Sequence, residues 1–295
     1  MKQPLFTGTC TALVTPFENG KVNFPMLERL IARQREAGVE VMVLCGTTGE
    51  SPTLSDAEKI AIFRHARRFD ETAFFIAGTG SNHTAHACAL SRAAQDTGMD
   101  AILAVTPYYN KATQEGLLTH YTGIAAAVHL PVLAYNVPSR TGMDIAPETC
   151  ARLSRIPGLA GLKQASADLR KTADILSRCP GSFPVYSGND DLTVPMMSLG
   201  AKGVISVLSN LLPQLVHTMT RAALAGDFDT AAALQLECLP WCDALFREIN
   251  PIPIKAAMAL AGLDCGDPRL PLTPAAPQTR RLLGELLSRI PESYE

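Results

Sequence analysis

One lysine lies where an apolar run of sequence ends, and it is the strongest candidate for covalent chemistry. The run begins at Leu159 and continues through Gly161 and Leu162 to Lys163. Desolvation disfavours the ammonium form of a lysine that points into a protein interior. The neutral amine is the form that attacks a carbonyl to give a Schiff base. The alternative is a lysine whose charged end reaches solvent, as most lysines do. Lys163 therefore predicts imine chemistry at the end of a buried strand.

Hydroxyl groups and an arginine follow other apolar runs. Thr47 and Thr48 are adjacent in a Gly-Thr-Thr-Gly turn, where hydroxyls and backbone N–H groups could hold a small carboxylate. The phenols of Tyr109 and Tyr135 could relay protons, and Arg140 could bind a carboxylate with two hydrogen bonds. The alternatives are an ordinary turn, structural tyrosines and a surface salt bridge. Taken with the lysine, the set predicts carbonyl chemistry on anionic substrates through an imine.

Alternating strands and helices would bring these residues together. The pattern predicts eight strands, at 10–15, 39–44, 74–77, 101–105, 132–135, 159–163, 185–187 and 204–207. Helices are predicted after the N-caps Asn23 and Ser55 and near 84–97, 114–128, 147–154, 168–178, 190–199 and 212–225. Nearly continuous apolar strands indicate a parallel sheet that is buried on both faces. Eight such units favour a closed (β/α)8 TIM barrel, whose active site lies at the carboxyl ends of the strands.

The last part of the chain shows a different pattern. Only helices are expected there, at 229–247, 253–261 and 276–289. The sequence therefore predicts a catalytic barrel over residues 1–225 and a C-terminal helical extension over residues 226–295.

Composition excludes several classes of protein. The 26 Lys and Arg residues are balanced by 28 Asp and Glu, so no basic excess is available to bind nucleic acid. The longest apolar stretch is broken by His129 and Pro131 and is shorter than the ~20 residues of a membrane span. Eight cysteines without a C-x-x-C pair, and no secretory signal, predict reduced thiols and a cytoplasmic protein. His83 and His86 lack partners at metal-ligand spacing, so no metal site is expected.

Seven short motifs follow one another along the chain. They are Val14-Thr-Pro, Gly46-Thr-Thr-Gly-Glu-Ser51, Ala77-Gly-Thr-Gly-Ser-Asn82, Val105-Thr-Pro-Tyr-Tyr-Asn110, Tyr135-Asn-Val-Pro-Ser-Arg-Thr-Gly142, Gly203-Val-Ile-Ser-Val207 and Asn250-Pro-Ile-Pro253. Together they resemble the dihydrodipicolinate synthase family of class I pyruvate-dependent aldolases and lyases, over about residues 6–274. The Gly-Thr-Thr-Gly-Glu turn is more typical of this family than of the neighbouring sialic-acid lyases.

The resemblance implies a role for each nucleophilic or proton-transferring residue. Lys163 would form the Schiff base with pyruvate, and Tyr135 would be the proton donor and acceptor beside that imine. Thr47 and Tyr109 would complete a proton relay, with Tyr109 supplied by the adjacent subunit of a dimer. No organic cofactor is implied beyond the covalent pyruvate imine on Lys163.

The resemblance also implies the substrate contacts and the assembly. Thr48, with Thr47, would bind the pyruvate carboxylate, and Arg140 would bind the carboxylate of aspartate 4-semialdehyde. The backbones of Gly188 and Ile205 would line the site. The product would enter diaminopimelate and lysine biosynthesis, and the protein would self-associate as a dimer or a homotetramer.

The sequence departs from the family pattern at two places. Gln164 stands where a glutamate is usual, which would change the electrostatics beside the catalytic strand. The lysine-feedback site of the family matches at Ser51, Asn82 and Tyr108. It departs at three further positions, so inhibition by lysine is expected to be weak or absent. Those positions are Asp56, Lys59 and His86.

Two other functions stay open at this point. One is another pyruvate-dependent aldolase, either similar to N-acetylneuraminate lyase or acting on a 2-keto-3-deoxy-sugar acid. Gln164 keeps this alternative open, whereas Arg140 favours an aldehyde that carries a carboxylate. The other is a non-catalytic binding protein, which would have no need of a desolvated lysine.

Overall fold

Eight parallel strands close into a barrel, as predicted. The computed structural model describes residues 3–39 and 41–290. Neighbouring strands follow chain order around the barrel, and the first strand pairs with the last. The barrel strands are β1 Gly8–Ala12, β2 Val41–Leu44, β3 Phe74–Gly78, β4 Ala101–Val105, β5 Val132–Asn136, β6 Leu159–Gln164, β7 Val185–Ser187 and β8 Gly203–Ser206.

Helices alternate with these strands and cover the outside of the barrel. The cap residues read from the sequence are confirmed. Asn23 accepts a hydrogen bond from the Met26 N–H at 3.0 Å, and Ser55 and Glu58 form a capping box. The helices are α1 Phe24–Glu36, α2 Asp56–Phe69, α3 Thr84–Asp96, α4 Gln114–Ala127, α5 Pro138–Thr141, α6 Pro147–Leu153, α7 Leu169–Arg178, α8 Thr193–Ser198 and α9 Pro213–Ala225.

Local details differ from the expected boundaries. The helix expected over 190–199 is a 3-10 turn, Asp190–Leu192, followed by the short helix α8. Pro195 lies in the first turn of α8, where its missing N–H would have no intrahelical partner in any case. The short helix α5, which carries Arg140, was not predicted. A two-stranded hairpin, Phe17–Glu18 and Lys21–Val22, follows β1 and was not predicted either.

Side chains alternate between two cores along each strand. One set fills the barrel interior, and it includes Cys10, Ile76, Tyr186 and Ile205. The other set packs between the strands and the surrounding helices. Because successive side chains of a strand point to opposite faces, a residue's parity in its strand decides whether it can reach the barrel mouth.

Three more helices follow the barrel. They are α10 Phe228–Leu245, α11 Ile252–Leu260 and α12 Pro277–Leu287. These helices agree with the expected pattern, whereas a domain boundary at residue 226 stays a prediction. Among the helices that the structure describes, none is long and apolar enough to cross a membrane.

Candidate active site

Lys163 and Tyr135 lie side by side at the carboxyl end of the barrel. They are paired in the register of β5 and β6, and Lys163 is only 5% exposed. The Lys163 Nζ lies 4.4 Å from the centre of the Tyr135 ring, which is within the range of a cation–π contact. The predicted nucleophile and the predicted proton-transfer group are therefore neighbours in one chain.

Gly188 provides the space that the lysine side chain occupies. A Cβ built on Gly188 would lie 2.6 Å from the Ala165 Cβ and 3.0 Å from the Lys163 Cε. A side chain at this position would therefore displace both neighbours. Steric contact therefore favours glycine at position 188, in addition to the backbone contact that the resemblance implies.

Two cavities meet at the barrel mouth. The Lys163 cavity has a volume of about 700 Å³ and is lined by Lys163, Thr48 and Gly188, among others. The Lys59 cavity has a volume of about 430 Å³ and is lined by Lys59 together with residues of β3 and β4. Both cavities share a wall, which consists of Thr47, Tyr135, Val137 and Arg140.

Asn250 holds two of the predicted substrate-binding residues. Its side-chain amide donates to the Thr48 Oγ1 at 3.0 Å, and its backbone carbonyl accepts from the Arg140 Nη2 at 3.1 Å. Because the Thr48 oxygen already accepts one hydrogen bond, its own hydrogen is free to be donated to a carboxylate. Asn250 belongs to a motif that carries the resemblance, but nothing in the sequence indicated this positioning role.

A buried ion pair fixes the threonine turn to the C-terminal helices. Glu50 ends the turn in the left-handed region, at φ 56°. Its carboxylate accepts from the Lys255 Nζ at 2.6 Å and from the Arg269 N–H at 2.8 Å. The Glu50 and Lys255 side chains are 1% and 2% exposed. Burial lowers the pKa of Lys255, and the adjacent Glu50 carboxylate opposes that shift.

Tyr109 and Ile205 lie outside both cavities. Tyr109 is 92% exposed and adopts φ 67° in the loop after β4, so one chain does not bring it to Thr47 and Tyr135. Ile205 is fully buried among the side chains of the barrel interior. A role for Tyr109 therefore depends on contact with a second subunit.

Most residues at the positions of the family's feedback site line the Lys59 cavity. Ser51, Asp56, Lys59, His86 and Tyr108 all contribute to its wall. The His86 Nε2 lies 2.8 Å from the Asp56 Oδ2, so these two departures form a pair with each other. Asn82 does not line the cavity, and its amide donates to the Tyr108 carbonyl at 3.2 Å.

Gln164 lines neither cavity, so its side chain does not contact the site directly. It alternates with Lys163 along β6 and is fully buried on the opposite face. Its Oε1 accepts from the Asn136 Nδ2 at 2.9 Å, while its Nε2 has no partner among the described residues. The replacement of the usual glutamate by Gln164 therefore changes a buried side chain on the face of β6 opposite to Lys163.

The described part of the chain was compared with the groupings of side chains that hold metal ions. Across residues 3–39 and 41–290, no three His, Cys, Asp or Glu side chains are placed so that they could hold a metal ion. The groups that line the Lys163 cavity include the Lys163 amine, the hydroxyls of Thr47 and Thr48 and the Arg140 guanidinium.

Comparison with known proteins agrees with this geometry. The model of the dihydrodipicolinate synthetase family matches residues 5–290. The 4-hydroxy-tetrahydrodipicolinate synthase of Geobacter sulfurreducens is 48% identical over 275 residues, which cover 92% of this chain and 93% of the relative. That of Caldicellulosiruptor saccharolyticus is 46% identical over 288 residues, or 96% of this chain and 97% of the relative.

Solved structures show the same fold. Dihydrodipicolinate synthase from Thermotoga maritima superposes with a TM-score of 0.94 at 38% identity, covering 96% of this chain and 98% of that one. The 4-hydroxy-tetrahydrodipicolinate synthase from Methylacidiphilum fumariolicum SolV gives a TM-score of 0.94 at 42% identity, covering 96% and 95%. The chain therefore belongs to the dihydrodipicolinate synthetase family.

Proposed function

We propose that the chain is a lyase that condenses pyruvate with L-aspartate 4-semialdehyde, the 4-hydroxy-tetrahydrodipicolinate synthase reaction of the diaminopimelate route to lysine. The observation that carries the proposal is the buried Lys163 beside Tyr135 at the mouth of the barrel. The relatives named for this reaction cover nearly the whole chain, which supports the same activity here. A sugar-acid aldolase is not favoured by these relatives.

The first half of the reaction binds pyruvate as an imine. The hydroxyls of Thr47 and Thr48 hold its carboxylate while the Lys163 amine attacks the keto carbon and water leaves. The Tyr135 ring lies 4.4 Å from the amine, and its hydroxyl carries protons to and from the reacting oxygen. The imine then loses a proton from the pyruvate methyl group to give an enamine. The protein needs no external cofactor for this step, since Lys163 itself supplies the electron sink.

The second half forms the carbon–carbon bond. The enamine attacks the aldehyde carbon of aspartate semialdehyde, whose carboxylate pairs with Arg140. The amino group of the bound substrate then attacks the imine carbon, the ring closes, and the lysine amine leaves. Asn250 keeps Arg140 and Thr48 in position throughout, through the two hydrogen bonds it makes with them.

Tyr109 enters the proposal as a residue of a second subunit. Its exposed ring and its distance from the cavities of its own chain support a role in trans, where it would join Thr47 and Tyr135 in a proton relay. This part of the proposal requires that the protein works as a dimer or a tetramer.

The identity of the aldehyde substrate is tested by measuring turnover of each candidate aldehyde separately. Purified protein is supplied with pyruvate and either aspartate semialdehyde or sugar-derived aldehydes, and product formation is followed for each. We expect turnover with the semialdehyde alone. Turnover of a polyhydroxy aldehyde at a comparable kcat/KM would instead assign the chain to the sugar-acid aldolases.

Replacing Arg140 with leucine is expected to weaken binding of the semialdehyde and leave pyruvate chemistry intact. A hydrogen bond to a charged group contributes about 1.5–3 kcal/mol, and about 1.4 kcal/mol corresponds to a tenfold change. The KM for the semialdehyde should therefore rise at least about tenfold, while the yield of the reduced pyruvate adduct stays unchanged. An equal effect on both substrates would contradict the assigned role.

Lysine is expected not to inhibit the enzyme at sub-millimolar concentration. A bound lysine would meet the Lys59 cation, and Asp56, the one acid among the described residues of this wall, lies 2.8 Å from His86. Initial rates measured with increasing L-lysine test this expectation, with a lysine-inhibited relative as the control. Half-maximal inhibition below one millimolar would contradict it.

Restoring the usual glutamate, Gln164→Glu, should affect stability rather than substrate binding. The side chain touches neither cavity, so the KM values for both substrates should stay within about twofold, well under the tenfold that 1.4 kcal/mol gives. A carboxylate there would be buried with an unpaired oxygen, which costs about 1–3 kcal/mol. Steady-state kinetics and thermal unfolding at neutral pH measure the two effects, and a large change in the KM for the semialdehyde would contradict the placement.

A further inference from the structure

Asp190 carries a buried carboxylate that, among the described residues, has no cation in contact with it. The residue follows β7 and is 2% exposed. Its Oδ2 accepts hydrogen bonds from the backbone N–H groups of Val207 at 2.9 Å and Leu208 at 3.0 Å. Its Oδ1 is buried and has no hydrogen-bond partner within the described ranges. A buried charge is expensive unless an opposite charge compensates it, so the nearest buried cation decides what this carboxylate does.

The buried charges of the described residues do not all pair by contact. Across residues 3–39 and 41–290, five charged side chains are buried, namely those of Glu50, Lys59, Lys163, Asp190 and Lys255. Glu50 and Lys255 form the ion pair described above, at 2.6 Å. Lys163 has no hydrogen bond and no ion pair in the same ranges. Asp190 is therefore the one buried acid of these residues that is left to balance a buried lysine.

The turn that carries Asp190 packs directly against the Lys163 side chain. A Cβ built on Gly188, two residues before Asp190, would lie 3.0 Å from the Lys163 Cε. Val207, whose N–H group Asp190 holds, lines the Lys163 cavity together with Gly188 and the lysine itself. The carboxylate thus joins the two turns, after β7 and after β8, that enclose the lysine.

The hydrogen bonds around Asp190 favour its ionised form. Burial raises the pKa of Asp190, whereas the Ser206 hydroxyl, the Leu208 and Val207 N–H groups and the charge of Lys163 oppose that shift. A protonated carboxyl needs an acceptor for its own hydrogen. Here Oδ2 accepts from two donors, and Oδ1 has no partner within the described ranges. Hydrogen bonds donated to a carboxylate stabilise its charged form, so we treat Asp190 as an anion that faces Lys163.

The other titratable groups near these two residues add little buried charge. Burial raises the pKa of the thiols that face them from β1 and α10, and that of Cys238 rises to about 12. These thiols are therefore neutral near neutral pH. The charged groups that share the Lys163 cavity are exposed or half-buried, so water and salt screen them. The thiols are those of Cys10, Cys238 and Cys242, Tyr135 faces Lys163 from β5, and the charged groups are Arg140, Asp191, Asp243 and Glu248.

We infer that Asp190 is a positioning residue for the imine chemistry, in which its carboxylate is the counter-charge of Lys163 and ties the turns after β7 and β8 around the lysine. The inference rests on the proposed function, where Lys163 passes between an ammonium, a neutral amine and an iminium cation. A nearby anion favours the cationic forms over the neutral amine. Asp190 lines neither cavity, so it acts through the charge state of Lys163 and does not touch the substrate.

The test compares the pH dependence of kcat/KM for pyruvate in the wild type and in Asp190→Asn, because this ratio reports the ionisation of the free enzyme. Asparagine keeps an oxygen that accepts from the Val207 and Leu208 N–H groups, but it removes the charge. Without the anion the neutral amine persists to lower pH, so the acidic limb should move to lower pH. At an effective dielectric constant of about 20, charges that are not in contact have an effect of roughly tenfold, or about one pH unit.

Gln235→Leu is the matched control for damage to the same junction. The buried Gln235 side chain donates to the Asp190 carbonyl at 2.9 Å and accepts from the Val194 N–H at 2.9 Å, and it carries no charge. This variant should lose thermal stability but keep its acidic limb within about 0.3 pH unit of the wild type, well under the unit that a tenfold effect gives. A limb that stays in place or moves to higher pH in Asp190→Asn, or that moves equally in both variants, would overturn the inference.

Ser206→Ala gives a second test, which stands even where Asp190→Asn fails to fold. Loss of the Ser206 hydroxyl disfavours the ionised carboxylate while Asp190 stays in place. The acidic limb should again move to lower pH, by a smaller amount than in Asp190→Asn. An unchanged limb in a folded Ser206→Ala protein would also overturn the inference.

Borohydride trapping with pyruvate separates this inference from the proposed function. Asp190→Asn should still form the reduced adduct at Lys163, because the amine is retained. Absence of the adduct in the wild type would contradict the proposed imine chemistry. An adduct in both proteins, together with an acidic limb that does not move, would overturn only the role assigned to Asp190.

Discussion

Lys163→Met is expected to lower kcat by at least about three orders of magnitude, which corresponds to about 4 kcal/mol at 1.36 kcal/mol per tenfold change. Methionine has nearly the length of lysine and suits a buried position, but it cannot attack a carbonyl. Without the amine there is no imine and therefore no enamine to attack the aldehyde. The fold should remain intact, because an apolar side chain of similar length can replace the lysine against the Tyr135 ring.

The matched control for this variant is Lys171→Met. Lys171 is also largely buried, at 12% side-chain exposure, but it pairs with Asp144 behind the barrel. This variant should keep most of the wild-type activity under the same assay. Residual activity above about one tenth of wild type in Lys163→Met, a loss below 1.36 kcal/mol, would contradict the role assigned to the lysine.

Glu50→Gln is expected to give the largest loss of stability, about 3–5 kcal/mol, because it leaves the buried Lys255 ammonium without its counter-ion. The expected signal is a lower urea midpoint with an unchanged slope. The same change should raise the KM for pyruvate, since Glu50 ties the turn that carries Thr47 and Thr48 to the C-terminal helices.

A double variant distinguishes a lost charge pair from a general packing defect. Glu50→Gln combined with Lys255→Met removes both charges, so much of the lost stability should return. Glu285→Gln serves as the surface control, because its 3.8 Å pair with Arg281 is exposed and should contribute at most about 1 kcal/mol. A double variant that is no more stable than Glu50→Gln alone would contradict the assignment.

The barrel and the Lys163–Tyr135 pair at its mouth were predictable, because both follow from local sequence. Strands with continuous apolar runs require a sheet covered on both faces, and eight of them in series close on themselves. Once the strands are parallel, Lys163 and Tyr135 must meet at the same edge of the barrel. The register of β5 and β6 brings them directly opposite each other.

The supporting residues could not be read from the sequence, because they come from distant segments. Glu50 and Lys255 are 205 residues apart in the chain, and Thr48 and Asn250 are 202 apart. The docking of α11 against the turn that ends at Glu50 depends on tertiary packing, which no local periodicity encodes. The local sequence of α11 gives its capping residues, its charges and the spacing of its apolar residues. None of these indicates which loop the helix contacts.

The orientation of two other side chains follows from sequence periodicity, although it was not predicted. Gln164 is the residue after the candidate nucleophile, so strand alternation alone directs it to the opposite face. Lys59 stands three residues before Ile62 and four before Phe63, on the buried side of α2. This spacing on an amphipathic helix predicts that the Lys59 side chain is largely buried.

Borohydride reduction in the presence of pyruvate, followed by peptide mass mapping, tests the central claim most directly. Sodium borohydride converts an imine into a stable secondary amine, which marks the residue that formed it. We expect one modified lysine, Lys163, with loss of activity in proportion to its labelling and no labelling when pyruvate is left out. A pyruvate adduct on any other residue, or full activity loss without an adduct, would contradict the imine mechanism.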